Sequence, residues 1–324
     1  MDLIAVSDCI ADELEKFEQR FTTALRTDVE LINEIITYIA AHKGKRLRPI
    51  LIFLTANLNG RSTARTLDAA LIVELIHTAS LIHDDVVDDA ELRRGAPSTY
   101  SIWKNRTSIL IGDYLFSQAL QKIVQLNDIE ISQVIAKVTR RMSEGELLQM
   151  QLAGDFTIDE STYFRMIADK TACFIASACE IGALTSSNKQ PVQREQLRRF
   201  GEYLGMAFQI RDDLLDYIGS ESTTGKPVGN DLKQNKITLP LLYALQHSDN
   251  GKAGQLRAII QSKRTPSDFE TIQILVSELG GVQYAQQKAE AYARKAVKML
   301  SSFVDSPYKD SLEKLADFAA IRTE

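Results

Sequence analysis

The sequence predicts an all-α protein, and three observations support this fold class. Turn-forming residues are sparse, with seven prolines and 16 glycines in 324 residues. No proline lies between Pro97 and Pro191, which leaves a long stretch without this helix breaker. Apolar residues recur at helical spacing, as at Leu71, Leu75 and Ile82, whereas no segment shows the alternation of a strand followed by a hairpin turn.

The helical segments follow one another without a linker, so we predict a single domain over residues 1–324. The periodicity places helices at 4–20, 23–42, 46–58, 64–88, 106–125, 129–153, 157–184, 191–218, 237–246, 252–262, 267–279, 281–303 and 307–322. Two longer loops interrupt this series, at 92–103 and 219–236.

The composition is typical of a soluble globular protein, with 44% hydrophobic and 25% charged residues. A net charge of −5 and the absence of a long basic run argue against a nucleic-acid partner. Cys9, Cys173 and Cys179 match neither a disulfide framework nor a zinc site, which favours a reducing compartment. No signal peptide opens the chain, and no apolar run reaches about 18 residues. We therefore expect a cytoplasmic protein without a membrane span.

The first distinctive segment, KGKRLRP at 43–49, contains four cations within six residues. Arginine and lysine are the usual holders of phosphate oxygens. The alternatives are a solvated helix start or a weak nucleic-acid patch, but the segment is isolated in an acidic protein and has no aromatic neighbours. Further cations at Arg93-Arg94 and Lys170-Thr171 favour two diphosphates, one held by metal ions and one by lysine and arginine alone.

The aspartates at 84–89 follow the apolar segment 69–82, whose single carboxylate is Glu74. Asp84 and Asp88 are four residues apart and therefore share one face of a helix. Carboxylates at this spacing repel each other, and their pKa values rise beside apolar residues unless a cation compensates them. Mg²⁺ is a suitable cation, because it binds carboxylate oxygens together with substrate phosphates.

The same DDxxD pattern returns at Asp212 and Asp216, one residue after the uncharged segment 205–210. A single DDxxD on a helix is usually a solvated face, but two copies that each follow an apolar segment favour two walls of one metal–diphosphate site. A metal phosphohydrolase built on His83 and Asp84 is the alternative. It requires several further histidine ligands, and the chain has only four histidines.

The loop at 219–236 follows the second motif and is rich in glycine and lysine, including Lys226, Lys233 and Lys236. It is a candidate lid over bound phosphates, and the alternative is a simple surface loop. The sequence contains no Ser-His-Asp pattern, no reactive cysteine context and no GxxxxGK[ST] loop. We therefore expect a site that removes a diphosphate from carbon by metal-ion electrostatics, with an apolar helix behind it for a greasy tail.

Seven segments resemble the trans-polyprenyl diphosphate synthases and occur in that family's order. They are KGKRLRP at 43–49, LIHDDVVDDAELRRGAPS at 81–98, EGELLQ at 144–149, KTA at 170–172, GMAFQIRDDLLDY at 205–217, GKPVGNDL at 225–232 and KITLPLLYAL at 236–245. The resemblance covers roughly residues 43–246. Within the family the chain is most similar to the long-chain octaprenyl, heptaprenyl and solanesyl type, which makes quinone side chains.

The resemblance implies a single helical bundle of the isoprenoid synthase type around a deep central cavity, usually as a homodimer. It implies a head-to-tail condensation that uses about three Mg²⁺ ions. The allylic diphosphate ionises to a carbocation, the double bond of isopentenyl diphosphate attacks it, and a proton is lost to the departed diphosphate.

Carried over by position, the implied metal ligands are Asp84, Asp85, Asp88, Asp212 and Asp216, with Asp213 nearby. The implied contacts to the allylic diphosphate are Arg93, Lys170, Thr171, Gln209, Lys226 and Lys236. Isopentenyl diphosphate is expected at Lys45, Arg48, His77 and Arg94. The implied catalytic set is Asp84, Asp85, Asp88, Arg93, Lys170, Asp212, Asp213 and Lys226. For His77, a buried core histidine is the alternative.

Two positions depart from the family pattern. Arg211 precedes the second motif, where the family usually has an uncharged residue. Gln234-Asn235 stands where a Glu-Gly pair is common before the lysine. Neither departure removes a ligand, but both leave the geometry of the lid open.

Product length is expected to depend on the helix behind Asp84. Ala79 and Ser80, at positions where short-chain members carry an aromatic floor, are both small and let the tail pass. One helical turn rises about 5.4 Å, roughly one extended isoprene unit, so about five units fit before the helix begins. This favours a product of about C40, with a short-chain C15–C20 product as the alternative. The floor is then a bulkier residue; the candidates are Ile72, Ile76, Phe116 and Met142, which are equally compatible with core packing.

Two other readings compete. Class I terpene cyclases also carry DDxxD, but they generally have a different second metal motif and lack the KGKRLRP cations. A non-catalytic subunit of a heteromeric synthase usually loses aspartates or arginines. This chain keeps all six motif aspartates together with Arg93 and Arg94, so an active enzyme is favoured.

Overall fold

The computed structural model describes residues 6–93, 95–188, 190–218, 229–247, 251–262 and 266–321. After a 3-10 turn at Asp8–Ile10, its helices are α1 (Ala11–Ala24), α2 (Glu30–Ala41), α3 (Leu47–Asn59), α4 (Ala64–Val87), α5 (Thr99–Leu126), α6 (Ile129–Leu152), α7 (Glu160–Ile167), α8 (Cys173–Thr185), α9 (Pro191–Ile218), α10 (Asn230–Lys233), α11 (Leu239–Gln246), α12 (Gly251–Gln261), α13 (Pro266–Glu278), α14 (Gly281–Met299) and α15 (Pro307–Ile321). Two short antiparallel strands, β1 (Leu92–Arg93) and β2 (Ala96–Pro97), form a hairpin. The all-α prediction is confirmed.

The structure differs from the predicted elements in two places near the motifs. The helix predicted over 157–184 is divided into α7 and α8 by a π-helical turn at Ala168–Ala172. The predicted loop at 92–103 contains the hairpin and the start of α5, which Ser98 caps by accepting a hydrogen bond from a backbone N–H. Lys104 interrupts α5 with a φ of 65°, so this helix is kinked in its second turn.

Helix α4 is the central helix, and its C-terminal turn carries the first aspartate motif. Thr63 and Thr66 form a reciprocal capping box at its N-terminus. The helix packs against α3, α5 and α8. Among the described residues it alone is long and apolar enough to cross a membrane, but 67% of its most apolar window is buried inside the fold, as in a core helix.

Small residues allow the helices around α4 to approach closely. Gly182 on α8 lies against Thr55 on α3, where a methyl group would overlap with the threonine hydroxyl. A methyl group on Gly205 of α9 would lie 2.6 Å from the Cα atom of Ala172. This contact holds the second motif's helix against the π-helical turn. On its other side α9 packs against α14, which in turn packs against α15.

Candidate active site

The first aspartate motif occupies the last turn of α4, where its apolar part ends. Asp84 is half-buried and Asp88 is exposed, whereas Asp85 is only 2% exposed. Arg93 on β1 donates from Nε to Asp85 Oδ1 at 2.6 Å, and its Nη2 lies 2.6 Å from the same oxygen. Asp85 therefore fixes the arginine of the hairpin beside the motif.

No lysine or arginine among the described residues pairs directly with the carboxylate of Asp84. Burial, followed by the carboxylate of Glu146, raises the pKa of Asp84 to about 6, although Lys170 and Arg93 oppose the rise. The cations nearby pair instead with other carboxylates, namely Arg93 with Asp85, Lys170 with Glu146 and Lys236 with Asp88.

The second motif lies in the C-terminal part of α9. Asp213 is 7% exposed and accepts hydrogen bonds from Tyr163 Oη and from Gln209 Nε2, each at 2.7 Å. Burial, followed by the carboxylate of Asp231, raises the pKa of Asp213 to about 8. Asp212, in contrast, is exposed. Neighbouring aspartates of one motif thus have different environments, one fixed and one open to solvent.

Residues 231–236 bring the two motifs to one site. The backbone N–H of Asp231 donates to Asp216 Oδ2 at 3.1 Å, and the N–H of Lys236 donates to the carbonyl of Asp231 at 2.8 Å. The ammonium group of Lys236 then lies 3.6 Å from Asp88 Oδ2. The two aspartate clusters, predicted to be walls of one site, therefore lie close together.

Lys170 and Thr171 lie in the π-helical turn, a feature that frequently marks functional sites. Lys170 Nζ donates to Gln149 Oε1 at 2.5 Å and lies 2.6 Å from Glu146 Oε2, both on α6. Thr171 Oγ1 donates to Gln209 Oε1 at 2.8 Å. The turn thus connects α6 with the helix of the second motif.

The cationic segment 43–49 places its members differently. Arg48 Nη1 lies 2.8 Å from His77 Nε2, and its guanidinium group lies 4.7 Å from the ring centroid of Phe174. Lys45 extends over the ring of Phe318 on α15 at 5.9 Å. Arg48 and His77, expected to share one substrate, are therefore neighbours.

Arg46 of the same segment is buried and pairs with two carboxylates. It adopts a φ of 53° before the first turn of α3, and its side chain is 9% exposed. Its guanidinium group donates to Glu74 Oε1 at 2.7 Å and to Glu18 Oε1 at 3.0 Å, over the ring of Phe21. A buried charge needs such partners, so Arg46 anchors the segment to α1 and α4.

A small cavity, partly open to solvent, lies beside this anchor among α2, α4 and the hairpin. Its charged or titratable lining includes Lys43, Arg46, Glu74, His77, Asp85 and Arg93. Two buried oxygens of lining residues, Glu74 Oε2 and Thr99 Oγ1, have no hydrogen-bond partner in the described part of the chain. This cavity lies next to the first motif, and its lining cations pair with carboxylates.

An aromatic pair borders the same cavity. Tyr38 lines it and donates from Oη to the carbonyl of Pro97 at 2.6 Å, which ties the hairpin to α2. The ring of Trp103, the only tryptophan in the chain, meets the ring of Tyr38 edge-on at 5.3 Å.

Several predicted features have a different position or lie outside the described residues. Arg94, Lys226 and the first ten residues of the predicted lid (219–228) belong to the latter group. Arg211, the first departure from the family pattern, is 5% exposed and donates to Gln286 on α14. At the second departure, Gln234 Oε1 is buried without a hydrogen-bond partner among the described residues, and Asn235 adopts a φ of 56°.

Four of the residues expected to set product length lie along α4, whereas Phe116 lies on α5 and Met142 on α6. Ala79, Ile76 and Ile72 are fully buried, and half-buried Ser80 donates its hydroxyl hydrogen to the carbonyl of His77. Phe116 stacks on the ring of His83, directly before the first motif, so it lies near the motif and not at the far end of the helix. Met142 is partly buried against the main core.

Four residues of the site were not predicted. Glu146 and Gln149 lie within EGELLQ, and Asp231 lies within GKPVGNDL. Both segments were identified from the sequence, but no role was predicted for these three residues. Tyr163 carries no sequence signal at all. Its contact with Asp213 depends on the packing of α7 against α9, which only the fold reveals.

Comparisons with known proteins agree with this arrangement. The polyprenyl synthetase family model matches residues 29–278. The chain belongs to the polyprenyl synthetase family. It is 35% identical to an octaprenyl diphosphate synthase of Haemophilus influenzae over 97% of this chain and 96% of that protein. The crystal structure of a polyprenyl synthase from Caulobacter crescentus, complexed with calcium and isoprenyl diphosphate, aligns with a TM-score of 0.93 and 34% identity, covering 100% of this chain and 98% of that one.

The relatives of this polyprenyl synthetase differ in product. The chain is 34% identical to component 2 of a heptaprenyl diphosphate synthase from Geobacillus stearothermophilus, over 98% of both chains. Other matching proteins are named for nonaprenyl and short-chain products. The family therefore establishes prenyltransferase chemistry, while chain length has to be argued from residues.

Proposed function

We propose that this prenyltransferase condenses isopentenyl diphosphate head to tail with an allylic prenyl diphosphate in the cytoplasm and makes an all-trans product of about C40 for quinone side chains. The observation that carries the reaction is the junction of the two aspartate motifs, in which Asp231 contacts Asp216 and Lys236 contacts Asp88. An allylic diphosphate between the motifs would meet carboxylates on two sides and cations between them.

The acidic residues fit Mg²⁺. No three His, Cys, Asp or Glu side chains in the described ranges converge to enclose an ion alone, and Mg²⁺ usually completes its shell with substrate phosphates and water. Asp84 and Asp88 would hold ions on one wall, Asp212 and Asp216 on the other. The bound metal would neutralise the diphosphate and stabilise it as a leaving group. Calcium with isoprenyl diphosphate in the Caulobacter relative supports this assignment.

The chain's own cations then complete the charge balance. Lys170, Arg93 and Lys236 each lie next to a carboxylate at the junction, so they would neutralise the departing diphosphate as its charge develops. Thr171 and Gln209 fix Asp213 within one hydrogen-bonded chain. Asp85, buried against Arg93, serves in this proposal as the support of that arginine. Lys226 is assigned to the same diphosphate from the family motif.

The second diphosphate belongs to isopentenyl diphosphate. Lys45, Arg48 and His77 would bind it without metal, together with Arg94 from the family motif. The support is the proximity of Arg48 to His77 and the cavity next to the first motif, which His77 lines. Placing this substrate beside the first motif puts its double bond near the ionising carbon, which is the main requirement of the coupling step.

The assignment of a long product rests on α4. Ala79 is buried and small, and Ser80 is half-buried and small. Neither side chain presents a floor one turn below Asp84, so the growing tail can extend along the helix. Ile76 and Ile72, which are buried further along α4, remain the candidates for its end.

We propose a homodimer as the active form. Helices α5 and α6 each expose large apolar side chains, including Ile109, Leu120, Val124, Leu147 and Met150. A second copy would cover these faces. The Geobacillus relative is named as one component of a synthase, so a different partner subunit is the alternative.

The test is an incubation of the purified protein with farnesyl diphosphate and radiolabelled isopentenyl diphosphate, with Mg²⁺ or with EDTA. We expect a Mg²⁺-dependent product of about C40 after dephosphorylation and reversed-phase sizing. A C15 or C20 endpoint would retain the reaction and overturn the length assignment. No incorporation with farnesyl or geranylgeranyl diphosphate would instead support the partner-subunit alternative.

A further inference from the structure

Lys170 differs from the other cations of the site in the partners it has. Arg93 and Lys236 pair with motif aspartates, whereas Lys170 is held by Glu146 at 2.6 Å and Gln149 at 2.5 Å. These two acceptors are three residues apart on α6 and therefore lie on the same face of the helix. Both acceptors therefore bind the ammonium group of Lys170 from the same side.

A close backbone contact between α6 and the π-helical turn fixes the position of Lys170 relative to these two acceptors. Lys170 projects from the π-helical turn, and Gly145 packs closely against that turn. A methyl group added at Gly145 would lie 2.5 Å from the backbone nitrogen of Lys170. Gly145 directly precedes Glu146 in α6. The position of the ammonium group is thus set by a rigid contact between two helical segments and by two hydrogen-bond acceptors.

The alternative partner of Lys170 is Asp84. Lys170 and Glu146 both interact electrostatically with Asp84. No described cation pairs with Asp84 directly, although Asp85 and Asp88 both have one. An ammonium group is a compact charge on a flexible stem, so without Glu146 and Gln149 it would be free to pair with a carboxylate of the first motif.

We propose that Glu146 and Gln149 are positioning residues that hold Lys170 away from Asp84, so that Asp84 stays open for metal and Lys170 stays available to the allylic diphosphate. The proposal rests on the proposed function of this site as an allylic diphosphate site. It gives EGELLQ a role in substrate affinity, exerted through Lys170 and not through contact with the reacting atoms.

The test compares Glu146→Ala, Glu146→Gln, Gln149→Ala and Lys170→Ala with the wild type. Farnesyl thiolodiphosphate, which ionises slowly, is the probe, and calorimetry gives its dissociation constant at fixed Mg²⁺. Steady-state kinetics give KM for each substrate and kcat. Glu144→Gln is the matched control, because Glu144 lies two residues away on the same helix, is exposed and pairs only with Arg140 among the described residues. Thermal melting confirms folding of each variant.

We expect Glu146→Ala to weaken probe binding roughly tenfold and to raise KM for the allylic substrate, with KM for isopentenyl diphosphate unchanged. Glu146→Gln retains an oxygen acceptor and should lose less than about threefold, and Gln149→Ala should fall between the two. In the Lys170→Ala background, Glu146→Ala should have no further effect, because no ammonium group remains to be misplaced.

An equal loss from Glu146→Ala with and without Lys170 would overturn the proposal, since Glu146 would then act independently of the lysine. Wild-type affinity in all three Glu146 and Gln149 variants would overturn it as well. If Glu146→Ala fails to fold, the Glu146→Gln and Gln149→Ala variants decide the same question. A wild-type protein that neither binds the probe nor incorporates isopentenyl diphosphate would instead refute the proposed function.

Discussion

Burial disfavours the ionised form of the Asp84 and Asp213 carboxyl groups. Both would titrate near 4 in an unfolded chain, whereas the folded pKa values are about 6 and about 8. Between the unfolded and folded values the folded protein binds more protons than the unfolded chain. The free energy of unfolding therefore decreases as pH rises from about 4 to 8, and the decrease is complete above the folded pKa.

We expect Asp84→Asn to raise the free energy of unfolding at pH 8 in EDTA by on the order of 2 kcal/mol, because the variant removes a half-buried charge. Urea denaturation followed by circular dichroism measures the change. The gain should disappear below about pH 4, where Asp84 is neutral in both states. The same gain at low pH would show that packing, and not charge, is responsible.

At this scale the sequence predicted candidate site residues from their type, and the roles assigned to them stay predictions. The aspartates, Lys170 and Arg48 belong to patterns that have a chemical reason, and the fold places Lys236 beside Asp88 and Arg48 beside His77. The sequence could not distinguish Arg46 from the other cations of its segment. The environment of Arg46 depends on its backbone turn and on two carboxylates that are distant in the sequence. Glu146 was missed because its partner is supplied by another helix.

Among the elements, the contact between α6 and the π-helical turn has the most direct effect on the site. The sequence predicted one helix over 157–184, since apolar periodicity does not reveal a widened turn of five residues. The helix predicted from 106 misses the turn of α5 before the kink at Lys104, because a lysine gives no signal of a positive φ. The helices themselves were predictable, because long amphipathic or apolar segments are strongly periodic.

We expect Gly145→Ala to raise KM for the allylic substrate about tenfold, because the added methyl group would push the Lys170 backbone out of position. Steady-state kinetics with both substrates measure the effect. Gly254→Ala is the control, since a methyl group there has no neighbour within 4 Å. That variant should keep its kinetics and gain about 0.5–1 kcal/mol of stability. Unchanged allylic KM in Gly145→Ala would show that the close contact is not needed to place Lys170.

Helix α4 makes a separate prediction about product length. Ala79→Tyr adds bulk at a fully buried position one turn before Asp84, so we expect shorter products with turnover largely retained. Reversed-phase thin-layer chromatography of the dephosphorylated products measures this. Ser80→Ala, which adds no bulk, should keep the wild-type length. Products of wild-type length from a folded Ala79→Tyr variant would contradict the role of α4 as a ruler.

For the whole molecule, the exposed apolar faces of α5 and α6 predict self-association. We expect a dimer in multi-angle light scattering and a monomer after the double substitution Leu120→Asp and Val124→Asp, because two charges would then be buried in the interface. Val304→Asp is the control, since Val304 is 85% exposed away from these helices. A wild-type monomer would contradict the predicted dimer, and a double variant that remains dimeric would place the interface elsewhere. The sequence predicted the dimer only through the family resemblance, because an exposed side chain cannot be told from a buried one by type.

The edge-on contact between Trp103 and Tyr38 gives the protein an intrinsic optical reporter. With one tryptophan in the chain, the tryptophan fluorescence comes from a single position in contact with Tyr38, which lines the cavity assigned to isopentenyl diphosphate. Stopped-flow emission can therefore follow the arrival of this substrate without a label. Tyr38→Phe, which keeps the ring but removes the hydroxyl bond to Pro97, would separate movement of the hairpin from occupancy of the cavity.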